Sequence, residues 1–284
     1  MSCSDWEYSM YQTSQELRAL QLKCLEILQV VDKICRDNQI EYSLCGGSVV
    51  GAHLYGGFVP WDDDIDLMMT RKNYEAFRKA CKKQLPSKYE LWNYKTKWNY
   101  KGIKQYRQLF SKVVDTTTTL VEQNGAVSGV FLDITVYDKV PLQPMRQKID
   151  FWISKYSLLM IYYDFSNSDS LLKKLGSLIG NHCSLLYLCA EGVIRLLSHT
   201  KKYGYCELFS GYCPTKLYRN DIYESYADIA FEGGSYRIVK NYVDYLVTRY
   251  DRTDFYEPED KQVPSHYQYV NFDLPYRDYL KSME

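Results

Sequence analysis

After position 16 apolar residues recur at three- and four-residue intervals: Leu17, Leu20, Cys24, Leu28, Val31 and Cys35. That spacing lays one apolar stripe along a long helix, and Thr13 with Glu16 has the spacing of a capping box at its start. The stripe ends near Asp37 and Asn38. Residues 40–45 read as a short strand feeding Gly46-Gly47-Ser48, and a helical turn over 49–54 follows with Ser48 as its cap. Gly56-Gly57 turns the chain back. Residues 65–69 then form a strand that begins among aspartates. A helix over about 71–83 carries Tyr74, Phe77 and Cys81 on one stripe. Residues 89–94, 105–114 and 120–122 read as strands of a meander. In GVFLDITVYD, Phe131, Asp133 and Thr135 share one strand face and Leu132, Ile134 and Val136 the other.

Residues 141–200 form the most apolar section, with helices expected over about 143–163 and 168–199, separated by Asn167-Ser168-Asp169. Basic residues flank it (Lys173, Lys174, Arg195, Lys201 and Lys202), so a membrane surface competes with core packing as its destination; core packing is the preferred reading. The last third holds FEGGSYRIV, with a turn at Gly233-Gly234, and a helix over about 240–250. No repeat or low-complexity linker divides the chain. The natural sections are residues 1–140, a core; 141–202, a helical section; and 203–284, a C-terminal segment packing back on the core as part of one continuous domain.

Composition narrows the picture. In 284 residues, 46% are hydrophobic, enough for a substantial core. The formal net charge is zero and no long basic run occurs, so a nucleic-acid partner is not indicated. The nine cysteines are odd in number, scattered and without a CxxC pair. Cys24, Cys35 and Cys189 sit in apolar helical patterns, so buried free thiols in a reducing compartment are expected. The opening MSCSDWEYSMYQ lacks the apolar core of a signal peptide. The uncharged stretch LGSLIGNHCSLLYLCA is too short for a membrane span. These features point to the cytoplasm, with peripheral contact at the inner membrane face as the alternative site. The 29 tyrosines suit interfaces and ligand clefts.

The chemistry concentrates in WDDDID. Asp62, Asp63, Asp64 and Asp66 fall among Phe58, Val59, Pro60, Trp61, Ile65, Leu67, Met68 and Met69. Two carboxylates about 4 Å apart repel by about 4 kcal/mol at an effective dielectric near 20, so a positive partner is called for. Asp64 and Asp66 share a strand face about 6–7 Å apart, a spacing that can converge on a hard divalent cation. Mg²⁺, or secondarily Mn²⁺, binds through few carboxylates and keeps positions open for phosphate oxygens. The plainer alternative, an acidic loop capping a helix, leaves the alternation with large apolar residues unexplained. Asp133, also in an apolar strand, either completes the metal site or serves as a base toward a hydroxyl. Gly46, Gly47 and Ser48 offer backbone amides and a hydroxyl to an anion. Lys112, in the apolar LFSKVV, needs a phosphate or carboxylate partner unless it faces solvent on an edge strand. Thr116 to Thr119 suit a strand surface better than a phosphate site. Trp61 packs either beneath the site or in the core.

GGSVVGAHLYGGFVPWDDDID closely resembles the signature of the LicD family, which includes the fukutin-related sugar-phosphate transferases. FSKVVDTTTT, FLDITVYD and FEGGSYRIVKNYVDYLVTRYD are similar to further family segments. The resemblance implies an α+β fold: a polymerase β-like nucleotidyltransferase core, a mixed β-sheet flanked by helices, with a helical insertion. It also implies a Mg²⁺-dependent phosphotransferase that moves a phospho-alcohol group, typically phosphocholine, from a CDP-alcohol to a hydroxyl of a cell-surface glycan or teichoic acid precursor. In that reading Asp64, Asp66 and Asp133 hold the metal, Asp133 takes the acceptor's proton, Lys112 offsets phosphate charge, and Gly46, Gly47 and Ser48 bind the donor. Asp62 or Asp63 orders the loop or orients a metal-bound water. The chain departs from the family at Leu54, where an arginine is usual and whose role His53 is placed to take, and at Tyr250-Asp251-Arg252, an eroded family motif. The alternatives are transfer of NMP to a protein, sugar or small molecule, and a non-catalytic glycan-binding member.

Overall fold

The computed structural model describes residues 15–93, 96–100, 103–105, 111–162, 188–190, 192–193, 196, 201–209, 216–255 and 267–283. In chain order they form α1 (Gln15–Asp37), β1 (Ser43–Leu44), α2 (Gly46–Tyr55), β2 (Asp66–Thr70), α3 (Arg71–Gln84), β3 (Tyr89–Trp92), β4 (Lys97–Tyr100), β5 (Ile103–Gln105), β6 (Ser111–Asp115), β7 (Thr119–Glu122), β8 (Val127–Ser128) and β9 (Phe131–Pro141). There follow α4 (Pro144–Tyr162), β10 (Tyr203–Cys206), β11 (Tyr218–Arg219), a 3₁₀ turn (Asn220–Tyr223), β12 (Tyr226–Phe231), β13 (Gly234–Val239), α5 (Tyr242–Tyr250), β14 (Tyr267–Asn271) and α6 (Tyr276–Ser282). The class is α+β, as expected. Among the described residues no helix is long and apolar enough to cross a membrane.

The chain divides into two compact units. The first takes its described residues from Met1–Leu91, Lys112–Ile134 and Glu224–Glu284; the second takes them from Trp92–Ser111 and Thr135–Tyr223. β9 therefore contributes residues to both.

In the first unit α1 buries the whole predicted stripe, Leu17, Leu20, Cys24, Leu28, Val31 and Cys35, together with Ile27 and Ile34. Thr13, the expected capping residue, lies outside the described residues. Only Ser43 and Leu44 of the expected 40–45 strand are paired, antiparallel with Met68 and Leu67. The shortening has a local cause: Gln39 is left-handed at φ 56°, and Ile40 N–H donates back to Cys35 O at 2.8 Å, closing the helix end. α3 buries Tyr74, Phe77 and Cys81 as its stripe predicts. The expected meander is replaced by non-sequential pairing. β3 pairs with β6, β6 with β9, and β7 lies between β14 and β8. Thr116 to Thr119 close the turn that makes this possible. Thr117 N–H and Oγ both donate to Asp115 Oδ1, Thr118 Oγ accepts from Val130 N–H, and Thr119 Oγ donates to Leu274 O.

In the second unit β9 pairs antiparallel with β10, and β10 with β11. Several of the chain's tyrosines are core residues here. Tyr137 and Tyr218 are fully buried, and the rings of Tyr137, Tyr218, Tyr223 and Tyr205 pack with centroids 4.7–5.4 Å apart. Val140, Cys206, Leu208 and Phe209 form a second core with Phe151 and Ile153 of α4. The preference for core packing is corrected for one face of α4: Met145, Ile149, Trp152 and Tyr156, spaced by three or four residues, are exposed, Met145 at 76% and Trp152 at 64%. A helix that turns Phe151 and Ile153 to the core leaves a second apolar stripe in solvent. Most of the expected 168–199 helix, and the 167–169 break, lie outside the described residues. Of the described cysteines, all free, five are buried and Cys189 is exposed, so the expectation of burial fails for Cys189 alone.

Candidate active site

The site is built where α2 leaves β1. The helix begins at Gly46, not at Val49, and Cys45 precedes it without any side-chain cap. Ser48 therefore lies inside the first turn, and its hydroxyl accepts the Asp66 N–H at 3.0 Å instead of capping the helix. Gly46 is left-handed at φ 52°, and a Cβ there would sit 3.2 Å from Asp66 Oδ2 and 3.6 Å from Arg249 Nε. A Cβ on Gly47 would come within 2.7 Å of Asp62 Oδ2. The two glycines thus let two carboxylates reach the backbone of the helix N-terminus. Gly46 N–H donates to Tyr245 Oη at 3.1 Å, and Ser48 N–H to Cys45 O at 3.0 Å. Of the three amides proposed for an anion, these two are engaged within the protein.

The loop that follows is clamped from three sides. Gly51 lies so close to it that a Cβ would meet Gly57 O at 2.4 Å and Val59 N at 2.9 Å. Glu232, left-handed at φ 49° in the β12–β13 turn, accepts Phe58 N–H at 3.1 Å and pairs with Arg18 at 2.6 Å. Its own N–H donates to Gly56 O at 2.9 Å. Gln21 Nε2, buried in α1, donates to Asp62 O at 2.9 Å. The FEGG turn is in this way the support of the GGF loop.

From the end of that loop the carboxylates converge. Asp64, Asp66 and Asp133 each place one oxygen within 4.8 Å of the other two; Asp62, Asp63 and Asp64 do the same. Asp133 is held in place by its N–H, which donates to Ile65 O at 3.0 Å. Asp63 is buried. Burial first, and then the charges of Asp66, Asp62, Asp133 and Asp63, pushes the Asp64 carboxyl well above the ordinary carboxylate range. Cys24 lies beneath, its thiol 3.6 Å from Phe131 O; burial, then Asp64, pushes that thiol up, so it stays protonated. An all-carboxylate donor set of this span suits a hard divalent ion and no soft one.

Lys112 is 2% exposed, so the solvent-facing alternative does not hold. Its Nζ pairs with Glu122 Oε1 at 2.7 Å, stands 3.9 Å from Asp133 Oδ1 and lies 3.2 Å from the centre of the Phe131 ring. Glu122 was not legible as a site residue; nothing in TTLVE distinguishes it from a surface acid.

Two cations near the acidic cluster come from the other end of the first unit. Arg249 stands beside Gly46 and Asp66. α5 ends with Asp251 left-handed at φ 55°, and just past that turn Arg252 has its guanidinium carbon 5.8 Å from the Tyr250 ring centre. His53, considered as a substitute for the family arginine, is exposed and meets Tyr242 Oη at 3.3 Å. Arg249 and Arg252 were missed because their signal, two arginines flanking a helix end, is common on any surface. Trp61 is not a core residue: it is half-buried, edge-on to Tyr55 at 6.3 Å, and lines a cavity of about 130 Å³ together with Asp62.

Residues 39–140 match the family model described as LicD/FKTN/FKRP, nucleotidyltransferase domain. The chain is also similar to the lipopolysaccharide cholinephosphotransferase LicD of Haemophilus influenzae, 28% identical over 268 residues, which covers 89% of this chain and 96% of that relative.

Proposed function

From a chain that carries a LicD-family domain over residues 39–140, we propose a metal-dependent phosphotransferase that moves a phospho-alcohol group from a CDP-alcohol to a hydroxyl of a cell-surface glycan. The observation that carries the reading is the convergence of Asp64, Asp66 and Asp133 within 4.8 Å. These three would hold Mg²⁺ or Mn²⁺, and a bound ion would supply the positive charge that a diphosphate donor and its leaving group require. The named activity of the Haemophilus relative, cholinephosphate transfer to lipopolysaccharide, supports the same class of reaction.

The chain's own residues have distinct tasks. The acceptor oxygen attacks the phosphorus that bears the alcohol; a new P–O bond forms, the P–O bond to CMP breaks, and CMP leaves. The acceptor's proton passes to the Asp133 carboxylate. Lys112, 3.9 Å from Asp133 Oδ1, offsets negative charge at the site. Arg249, next to Asp66, faces the donor's phosphates as a fixed cation. Ser48 holds the backbone at Asp66 and so the direction of its side chain.

The test is CMP release from CDP-choline, CDP-ethanolamine, CDP-glycerol and CDP-ribitol with a glycan acceptor and Mg²⁺, repeated in EDTA and with nucleoside triphosphates. Release of CMP from one CDP-alcohol, abolished by EDTA, is expected. Consumption of a triphosphate with release of pyrophosphate would replace this reading by nucleotide transfer, and inertness toward every donor would leave only a binding role.

A further inference from the structure

The polarity of α4 is inverted. Asp150, Ser154 and Ser157 are its buried residues; Ser154 Oγ donates to Leu208 O, and Phe151 and Ile153 pack on the second core. Met145, Ile149, Trp152 and Tyr156 face solvent instead. They stand at i, i+4, i+7 and i+11, so they form one stripe about 16 Å long. The rings of Trp152 and Tyr156 meet at 5.3 Å and 53°. Leu142, exposed just ahead of the helix, donates its N–H to Lys202 O at 3.1 Å. The charge of the helix is one-sided. Asp150 is the one acid of residues 144–162 and is buried, whereas Arg146, Lys148 and Lys155 are exposed. At about 100° per residue, Lys148 and Lys155 fall on one flank of the stripe and Arg146 on the other. The exposed pair Lys201-Lys202 reaches the same end of the helix through Leu142.

We propose that this face of α4 docks on an anionic lipid surface, with the helix lying in the plane of the headgroups. The inference uses no residue of the carboxylate site and does not rest on the phosphotransferase reading. An apolar stripe between basic flanks matches the layering of such a surface. Met145, Ile149 and Trp152 enter the boundary of the acyl chains, while the stems of Lys148, Lys155 and Arg146 extend outward and carry their charges to the lipid phosphates. Tryptophan and tyrosine join an apolar ring to a polar tip, and that pairing is favoured at headgroup depth. The formal net charge of the chain is zero, so attraction to an anionic surface has to come from a local patch, and this helix supplies one. A second copy of the chain fits the face less well. A two-fold contact sets one patch against itself, which brings cation toward cation with no exposed acid on the helix between them.

The experiment is flotation of the full chain with vesicles of phosphatidylcholine alone and of phosphatidylcholine mixed with phosphatidylglycerol. The chain is expected to float with the anionic vesicles, to bind the neutral ones at least about tenfold more weakly, and to be released in part by high salt. The double variant Ile149→Ser/Trp152→Ser is expected to lose at least about tenfold in partition with its circular dichroism and melting temperature unchanged, because both side chains already face solvent. Lys148→Glu/Lys155→Glu should lose a similar factor on anionic vesicles alone. Lipids brominated in the acyl chain should quench part of the tryptophan emission of the bound parent. Trp152→Phe, which keeps a ring in the stripe, should retain binding and remove that quenching. Absence of flotation, equal binding to both vesicle types, or binding that survives Ile149→Ser/Trp152→Ser overturns the assignment. Dimers in sedimentation that the same double variant abolishes, without vesicle binding, would give the face to a second copy instead.

Discussion

Asp66 illustrates how much of the site is decided side chain by side chain. Its backbone is tied to Ser48, its carboxylate fits against a glycine that has no Cβ to obstruct it, and Arg249 stands on the same side. Asp66→Asn and Asp133→Asn should keep the fold, read by circular dichroism, and lose about 10²-fold or more in transfer rate, as expected for about 3 kcal/mol of charge stabilisation. Full activity in either variant removes the carboxylate from the mechanism. Lys112 is a different case, because its pairing with Glu122 is buried on the lysine side. Lys112→Met should destabilise the protein by about 3 kcal/mol in urea unfolding, leaving Glu122 and Asp133 without their cation. The double variant Lys112→Met/Glu122→Met should recover much of that loss. If the single variant is as stable as the parent, the lysine's part is purely functional.

At the scale of elements, close approach and burial decide where changes are tolerated. α2 and the loop after it nearly touch at Gly51, where a Cβ would collide with the backbone of Gly57 and Val59. Backbone cannot swing aside as a side chain can, so Gly51→Ala should cost at least about 2 kcal/mol. Gly56, left-handed at φ 64° but with nothing within 4 Å of a Cβ, should lose only about 1 kcal/mol on the same change. A thermal melt of the pair checks the order; reversal would mean that the loop is not seated on the helix. In α4, Asp150 is fully buried and neither of its carboxylate oxygens has a hydrogen-bond partner among the described residues. Burial first, then Asp138, pushes its carboxyl up to about 6. The folded state thus holds a proton that the unfolded chain has already released, so stability falls as pH rises from about 4 to about 6 and is level above that. The loss is at most about 3 kcal/mol, two units of about 1.4 kcal/mol each. Asp150→Leu should remove this slope and leave the protein at least as stable as the parent at pH 7.5. An unchanged slope would assign the effect to other groups.

For the whole molecule, the carboxylate cluster is a concentration of like charge that folding assembles. Folding and cation binding should therefore be linked. Mg²⁺ at about a hundred times its dissociation constant should stabilise the native state by about 2.7 kcal/mol, visible as a rise in melting temperature that Asp64→Asn reduces. A melting temperature indifferent to Mg²⁺ and Mn²⁺, with CDP-choline also present, would count against the metal site.

The amphipathic stripes of α1 and α3, the strand faces of β9 and the short span between Asp64 and Asp66 follow from backbone geometry over a few residues, and periodicity therefore reveals them. The acidic run is legible for the same reason, its carboxylates alternating with large apolar residues. Local pattern was misleading at Ser48, where a good capping residue became an acceptor for Asp66, and at Cys189 and one face of α4, where apolar spacing ended in solvent. What spacing cannot carry is the meeting of positions far apart in the chain. Glu122 with Lys112, Glu232 with the GGF loop, and Arg249, Tyr250, Arg252 and Phe255 around the start of α2 are joined only by packing, which pairs strands out of sequence order and closes a C-terminal helix over an N-terminal one. The chain alone singled out the carboxylates that converge. Their neighbours, and the cavity those neighbours enclose, were decided by tertiary structure, because a contact depends on which surfaces are buried together and not on the interval between residues.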